Sequence, residues 1–416
     1  MHSEAEAVML NLSQQEALEL IRSQDIKFIR LAFCDLWGQQ KNLSIQTTEL
    51  ERAFETGIAL DGSAIAGFRD PSQSDLLLFP DPSTLVILPW RPTRGGVARF
   101  FCDIYMPDGT PFAGDTRRLL NETEQFCAQH DLQCAFGAEC EFYLFRCDEN
   151  GSPTDIPLDH AGYFDIAPAD KGENVRREIC LTLESMGLQP ERSHHEQGPG
   201  QMEVDFRYSD ALHAADNVIT FKQVVSTIAA RNGLWASFAP KPIKDQAGNG
   251  FHINVSVAQK HAAEGEAVFQ SFMAGLLTHV PEMSAVLNPT EESYARLGRE
   301  KAPARVSWSP NNRSQLIRIP AAAAPYRRME LRSPDAGTNP YLAFALVLRA
   351  GFDGVANKMT PPPSCDTDLL RAPKEVQNQY PALPATLTEA KRLMAESAFM
   401  QSALPEHIFR AYTEKQ

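Results

Sequence analysis

The sequence has no long basic block, no CxxC pair, no glycine-rich phosphate signature and no apolar run long enough to cross a bilayer. Each absence excludes something. With 53 acidic against 39 basic side chains the formal net charge is −14, which disfavours nucleic acid or an anionic membrane surface as the main partner and suits a protein that gathers cations. The eight cysteines, at 34, 102, 127, 134, 140, 147, 180 and 365, are scattered. They fit neither a zinc cluster nor a disulfide framework, and reduced, mostly buried thiols in a cytosolic protein are expected. Neither GxGxxG after a strand nor GxxxxGK[ST] occurs, so the common nucleotide-binding loops are excluded. The apolar stretches near 266–280 and 340–350 are too short or too interrupted to span a membrane. The acidic opening MHSEAEAVML lacks the positive segment of a secretion signal.

What is present is an ordinary globular composition over 416 residues, 43% hydrophobic and 22% charged, enough for two domains. The first reads as a small α+β unit. Ser13-x-x-Glu16 predicts a capping box ahead of a helix through Ile21. IKFIRLAFCDLWGQQKNLSI predicts two strands turning near Gly38, and a helix over 47–56 stops at Gly57. ARFFCDIYMPDGTPF predicts a strand and a turn, which places a boundary at 112/113. Beyond it, Asp115 caps a helix. Strands are expected around 135–146, 202–208 and 250–257, with helices near 172–187, 210–232 and 266–280. NPYLAFALVLRAG, apolar on all sides, predicts a buried helix.

The chemistry gathers on the strands. GAECEFYLF, residues 137–145, puts Glu139, Glu141 and Tyr143 on one face and Cys140, Phe142 and Leu144 on the other. Two like charges repel by about 4 kcal/mol at ~4 Å and an effective dielectric near 20. Solvent or a cation must offset that. SHHEQGPGQMEVDF adds Glu196 and Glu203, RRMELRSPD adds Glu330 between Arg328 and Arg332, and GNGFHINVSV places His252, Asn254 and Ser256 on one face. Each feature alone is ordinary: a solvated strand face, a hydrogen-bonded core histidine. Together they describe a polar sheet face whose oxygen-rich donors, without cysteine, suit Mg²⁺ or Mn²⁺. Arg296, Arg313, Arg318, Arg328 and Arg332 join them. Guanidinium forks opposite metal-binding carboxylates are the recurring parts of phosphoryl transfer. An ion-paired sheet cleft without catalysis, or a kinase of a small carboxylate or guanidino compound, uses the same parts.

These stretches, with DGSAIAGF, DLLLFPDPSTLVILPW, NRSQLIRIP and RMELRSPDAGTNPYLAFAL, resemble the glutamine synthetase family of type I in the family's order from about residue 25 to 410. The resemblance implies an α+β protein: an N-terminal β-grasp domain (1–112) and a C-terminal catalytic domain (113–416) of the glutamine synthetase/guanido kinase-like fold, built on a curved antiparallel sheet. It implies an ATP-dependent ligase forming a γ-glutamyl amide through γ-glutamyl phosphate, with two divalent ions per site. Glu141, Glu196 and Glu203 would hold one ion and Glu139, His252 and Glu330 the other. Arg296, Arg332, Gly248 and Glu141 would bind glutamate, and Arg313 would stabilise the moving phosphoryl group. Arg318 and Arg328 would hold ATP phosphates, and Glu191, Tyr208, Asn254 and Ser256 would contact the nucleotide. Asp61 would take up ammonium from a neighbouring subunit, in a hexameric ring or stacked rings.

Four departures qualify the substrate. The family's lid reads Glu-Ala-Pro, whereas RLGREKAP places Lys301 there, with Glu300 one residue earlier. Ala64 replaces a common serine, Ala247 stands where an asparagine is frequent, and RAYTEKQ is short of the family's tail. A lysine repels ammonium, so the acceptor is either ammonia, with Glu300 shifted into the lid role, or a small organic amine or polyamine. A non-catalytic regulatory or structural relative is the reading outside enzymology.

Overall fold

The computed structural model describes residues 12–92, 94–259, 265–322 and 327–414; the acidic N-terminal stretch and the last two residues read above lie outside them. Two compact units emerge, Met1–Arg118 with Cys180–Gln189, and Leu119–Ile179 with Pro190–Gln416.

The first unit is a mixed sheet under short helices. Ser13 and Glu16 form the capping box, and the helix Gln14–Ser23 presents Ala17 and Ile21 to the core. Strands Ile26–Cys34 and Gln40–Gln46 form the antiparallel hairpin, and Ile26–Cys34 also lies parallel to Gly96–Tyr105. Asp75–Pro80 and Ile58–Asp61 extend the sheet. Phe54 and Phe100 meet edge-on at 5.8 Å beneath the helix Leu50–Thr56. Asp61 ends its strand and receives the Ser63 amide at 2.9 Å and the Ser63 hydroxyl at 2.6 Å.

The second unit is built on a larger curved sheet. From one edge its strands run Trp308–Pro310, Ile317–Ile319, Met329–Leu331, Phe251–Gln259, Leu132–Cys147, Gln201–Phe206 and Pro190–His195. Leu234–Ser237 and Pro153–Pro157 also pair with the long strand Leu132–Cys147. The sheet is antiparallel except for the parallel pairing of Trp308–Pro310 with Ile317–Ile319. Its apolar face is closed by three helices, Ala211–Arg231, Gly265–Leu287 and Pro340–Ala356. Phe136 stacks on Phe344 at 4.7 Å and Phe142 meets Phe221 at 5.9 Å, all of them fully buried. Each such side chain contributes roughly 1.5–3 kcal/mol by leaving water. Period-two alternation thereby commits Cys140, Phe142 and Leu144 to the core and turns Glu139 and Glu141 to the opposite face.

Candidate active site

Register decides which carboxylates meet. On the polar face Glu139 stands opposite both His252 and Asp205, and Glu141 stands opposite Glu203. Glu203 in turn stands opposite His194 on the outer strand, and Asn254 stands opposite Glu330. Five acids and two imidazoles from five strands thus share one concave surface.

Five of these seven, joined by Glu196 just beyond the outer strand, form two trios whose donor atoms lie within 4.8 Å of one another: Glu139, His252 and Glu330; and His194, Glu196 and Glu203. The first is the trio that the family resemblance implies. In the second, His194 stands with Glu196 and Glu203, whereas a carboxylate oxygen of Glu141 accepts the Gly250 amide at 2.8 Å and the Gln201 amide at 3.1 Å. Their surroundings shift the carboxylates of this surface in opposite directions. Burial pushes Glu203 well above the ordinary carboxylate range, and Asp205, Glu141 and Glu139 push it further. Burial also raises Glu141. Burial works against ionisation of Glu139 too, but the His252 hydrogen bond and the nearby charges outweigh it and hold the group at about 2. Oxygen-rich trios with one imidazole each and no thiolate fit Mg²⁺ or Mn²⁺.

A third cluster, Asp159, Asp170 and His195, is fully enclosed and is satisfied by protein donors. Asp170 pairs with Arg176 at 2.7 Å. Asp159 accepts the Gly200 and Lys171 amides. His195 sits between Asp159 at 2.9 Å and the Glu196 carbonyl at 2.7 Å. Both partners accept, so both ring nitrogens donate, and the imidazolium braces the backbone that carries Glu196.

The guanidiniums converge on the same surface. A cavity of about 320 Å³ is lined by Glu139, His252, His194, Glu196 and Glu203 and by Glu141, Gly248, Arg296, Glu300, Lys301, Arg313, Arg318, Arg328 and Arg332, and the fully buried Glu330 is bound to two of these arginines. Arg318 holds Glu330 at 2.7 Å, and Arg332 holds its other oxygen. Arg296 and Arg332 are almost wholly buried and are oriented by carbonyls of Ser333 (2.7 Å) and Arg313 (3.1 Å). Gly248 is required by close approach: a Cβ there would lie 2.4 Å from the Pro240 carbonyl. Tyr143, on the strand of the two glutamates, donates to the Ala247 carbonyl at 2.6 Å and so fixes that loop.

A second cavity of about 830 Å³ adjoins along the sheet, lined by Gly137, Glu191, Arg192, Asp205, Tyr208, Asn254, Ser256 and Arg328 among others. The four residues expected to contact the nucleotide are therefore together, with Arg328 tied to Asn254 at 3.2 Å. Gly137 lets the Tyr208 ring lie on the strand, since a Cβ would meet it at 2.7 Å. Glu139, Arg192 and Arg328 line both cavities.

The departing lid residues both face the first cavity. Glu300 adopts φ 50° and its carboxylate is held by buried Lys241 at 3.1 Å; Lys301 stands over the Tyr163 ring, 5.1 Å from its centre. Burial pushes the Lys301 ammonium below its ordinary range. His194, Arg192 and Lys241 escape a reading by alternation, because PERSHH has no apolar period and Lys241 follows a proline in a loop.

Family models match nearly the whole chain: the β-grasp domain of glutamine synthetase over residues 25–107 and its catalytic domain over 113–416. The chain belongs to the glutamine synthetase family. It is 44% identical over 417 residues to the glutamine synthetase of Clostridium saccharobutylicum, covering 97% of this chain and 94% of that one. The Methanosarcina mazei glutamine synthetase is 45% identical, with 96% and 92% covered. A solved structure titled as a complex of GmaS with ADP superposes with a TM-score of 0.86 at 30% identity, covering 95% and 94% of the two chains. As a glutamine synthetase homologue the protein is an enzyme, an ATP-dependent ligase of a family that uses divalent metal. Among the described residues no helix is long and apolar enough to cross a membrane.

Proposed function

We propose that this glutamine synthetase homologue joins glutamate to ammonia, using ATP, through γ-glutamyl phosphate. The observation that carries the reading is the meeting of two acid–imidazole trios with the guanidiniums of Arg296, Arg313, Arg318, Arg328 and Arg332 around one cavity that opens beside the Tyr208–Ser256 cavity. Glu139, His252 and Glu330 would hold one Mg²⁺ or Mn²⁺ beside the nucleotide. Glu196 and Glu203, with His194 or Glu141, would hold a second beside glutamate. Bound there, such ions supply the positive charge that lets phosphate and carboxylate oxygens approach.

Arg296, Arg332 and the Gly248 backbone position glutamate, with its γ-carboxylate turned toward Arg313 and Arg318. The carboxylate oxygen forms a bond to the γ-phosphorus of ATP, and ADP leaves. Arg313, exposed at the cavity wall, neutralises charge on the moving phosphoryl group. Ammonia then attacks the acyl carbon, the C–O bond to phosphate breaks, and one proton passes from nitrogen to a carboxylate. Asp61 of a neighbouring copy and Glu300 are that carboxylate's two candidates. Asp61 is suited to cation capture, because hydrogen bonds from Ser63 hold it below the usual carboxylate range. The corresponding assembly is a cytoplasmic homo-oligomer, a hexameric ring or stacked rings, in which residues 1–112 form the β-grasp domain and 113–416 the catalytic domain.

Lys301 in the cavity favours a second reading, in which the acceptor is a small organic amine or polyamine. The two are separated by ATP-dependent phosphate release with glutamate and ammonium, methylamine, ethanolamine or polyamines. Ammonium is expected to support the highest kcat/KM. Turnover with an organic amine alone would replace the acceptor, and turnover with none would remove the ligase reading of this site.

The lid charge gives its own prediction. Lys301→Glu replaces a repelling charge by an attracting one. After allowance for solvent screening, KM for ammonium is expected to fall about 10-fold. An unchanged KM would mean that Lys301 lies outside the field felt by the acceptor.

A further inference from the structure

Arg192 is the one side chain of the edge strand Pro190–His195 that lines both cavities. It stands directly opposite Asp205 in the register. Its Nε donates to Asp205 at 2.5 Å and its Nη2 lies 3.5 Å from Glu139. Asp205 is itself buried, and its second oxygen has no hydrogen-bond partner among the described residues. Arg192 is thus the fixed countercharge of an enclosed carboxylate.

Neutralising Asp205 needs only the Nε edge of the fork. The rest of the guanidinium remains in the passage: the side chain is 57% exposed, and among the described residues nothing binds Nη1. A guanidinium held by one edge and open at the other is preorganised to bind oxygen anions. Its position says which anion. Glu139 belongs to the acid trio on the nucleotide side and is shared by both cavities, as is Arg328. A polyphosphate lying across the join of the two cavities meets Arg192 and Arg328, the two cationic side chains that line both.

We propose that Arg192 is a further polyphosphate-binding residue of this site, acting with Arg328 where the two cavities join. The inference rests on the ligase reading above and adds a contact that neither the strand pattern nor the motif resemblance assigns. Arg192 is anchored to the sheet by Asp205 and grips the anion rather than the base, so it discriminates ADP and ATP from the unphosphorylated nucleoside.

The test is calorimetric titration of the full chain with ADP and with adenosine, in Mg²⁺, for the parent, Arg192→Ala, Arg192→Lys and the double variant Arg192→Ala/Asp205→Asn. The double variant removes the buried acid's charge together with its partner, which keeps the fold when the single variant loses it. ADP affinity is expected to fall about 10- to 50-fold in the alanine variants and to recover in part with lysine, with adenosine affinity unchanged within about twofold. KM for ATP should rise while KM for glutamate stays constant. Equal weakening of both ligands, or an undiminished ADP affinity in the double variant, overturns the proposal while leaving the ligase reading intact. A parent protein that binds no ADP overturns both.

Discussion

Glu330→Ala is expected to abolish turnover, by at least ~10³-fold, and to destabilise the fold by about 3–5 kcal/mol. Both effects have one origin. Glu330 is 0% exposed, is paired with Arg318 at 2.7 Å and with Arg332, and lies 3.6 Å from His252. Removing it leaves the Arg332 guanidinium, 2% exposed, without its countercharge. A buried charge whose partner is deleted costs far more than the pair contributed. It also takes one donor from the Glu139–His252 trio. Denaturant unfolding measures the first effect and steady-state phosphate release the second. Glu330→Gln separates them: it keeps volume and one acceptor, so most of the stability should return while turnover stays lost. Full turnover in the glutamine variant would remove Glu330 from the ion-binding set.

Asp61→Ala is expected to lower amide formation by about 10²- to 10³-fold, the range of a lost general base, with ADP affinity changed less than about threefold. Asp61 lies on the unit that carries none of the acid trios, so its loss leaves the phosphate-binding parts whole. The acyl phosphate then forms but waits for an acceptor, and water replaces ammonia. Phosphate release should exceed amide release, whereas the two are equal in the parent. The measurement is parallel assay of phosphate and amide in one reaction. Undiminished amide formation would point to Glu300 as the proton acceptor. Undiminished turnover with no amide at all would point to a kinase of a small carboxylate.

How much of the site was legible depends on where its parts lie. Glu139, Glu141, Glu203 and His252 sit on strands whose other face is Phe, Val, Ile or Cys, and period-two alternation exposes them at once. Glu330 and the arginines around it are visible as charges among apolar residues in MELR and LIRIP, although the strands are only three residues long. His194 and Arg192 belong to PERSHH, which offers no apolar face because it lies at the sheet's edge with its side chains largely uncovered. Its pairing comes from the neighbouring strand, through the Gly198–Gly200 turn. Lys241 is a loop residue whose partners are 5 and 59 positions away. Only chain folding brings a lid carboxylate to it.

The amino-acid sequence by itself determined the faces of the strands carrying Glu139, Glu203, His252 and Glu330, the family motifs and the oxygen-rich, thiol-free donor set, because alternation and side-chain chemistry are local properties. The tertiary structure alone decided the partners. Register set Glu141 against Glu203 and Arg192 against Asp205. Strand pairing brought Glu203 to His194, and folding of the lid turned Lys301 and Glu300 into one cavity. Electrostatic energy falls with distance and rises with burial, and neither quantity exists for a charged residue until the chain has closed around it.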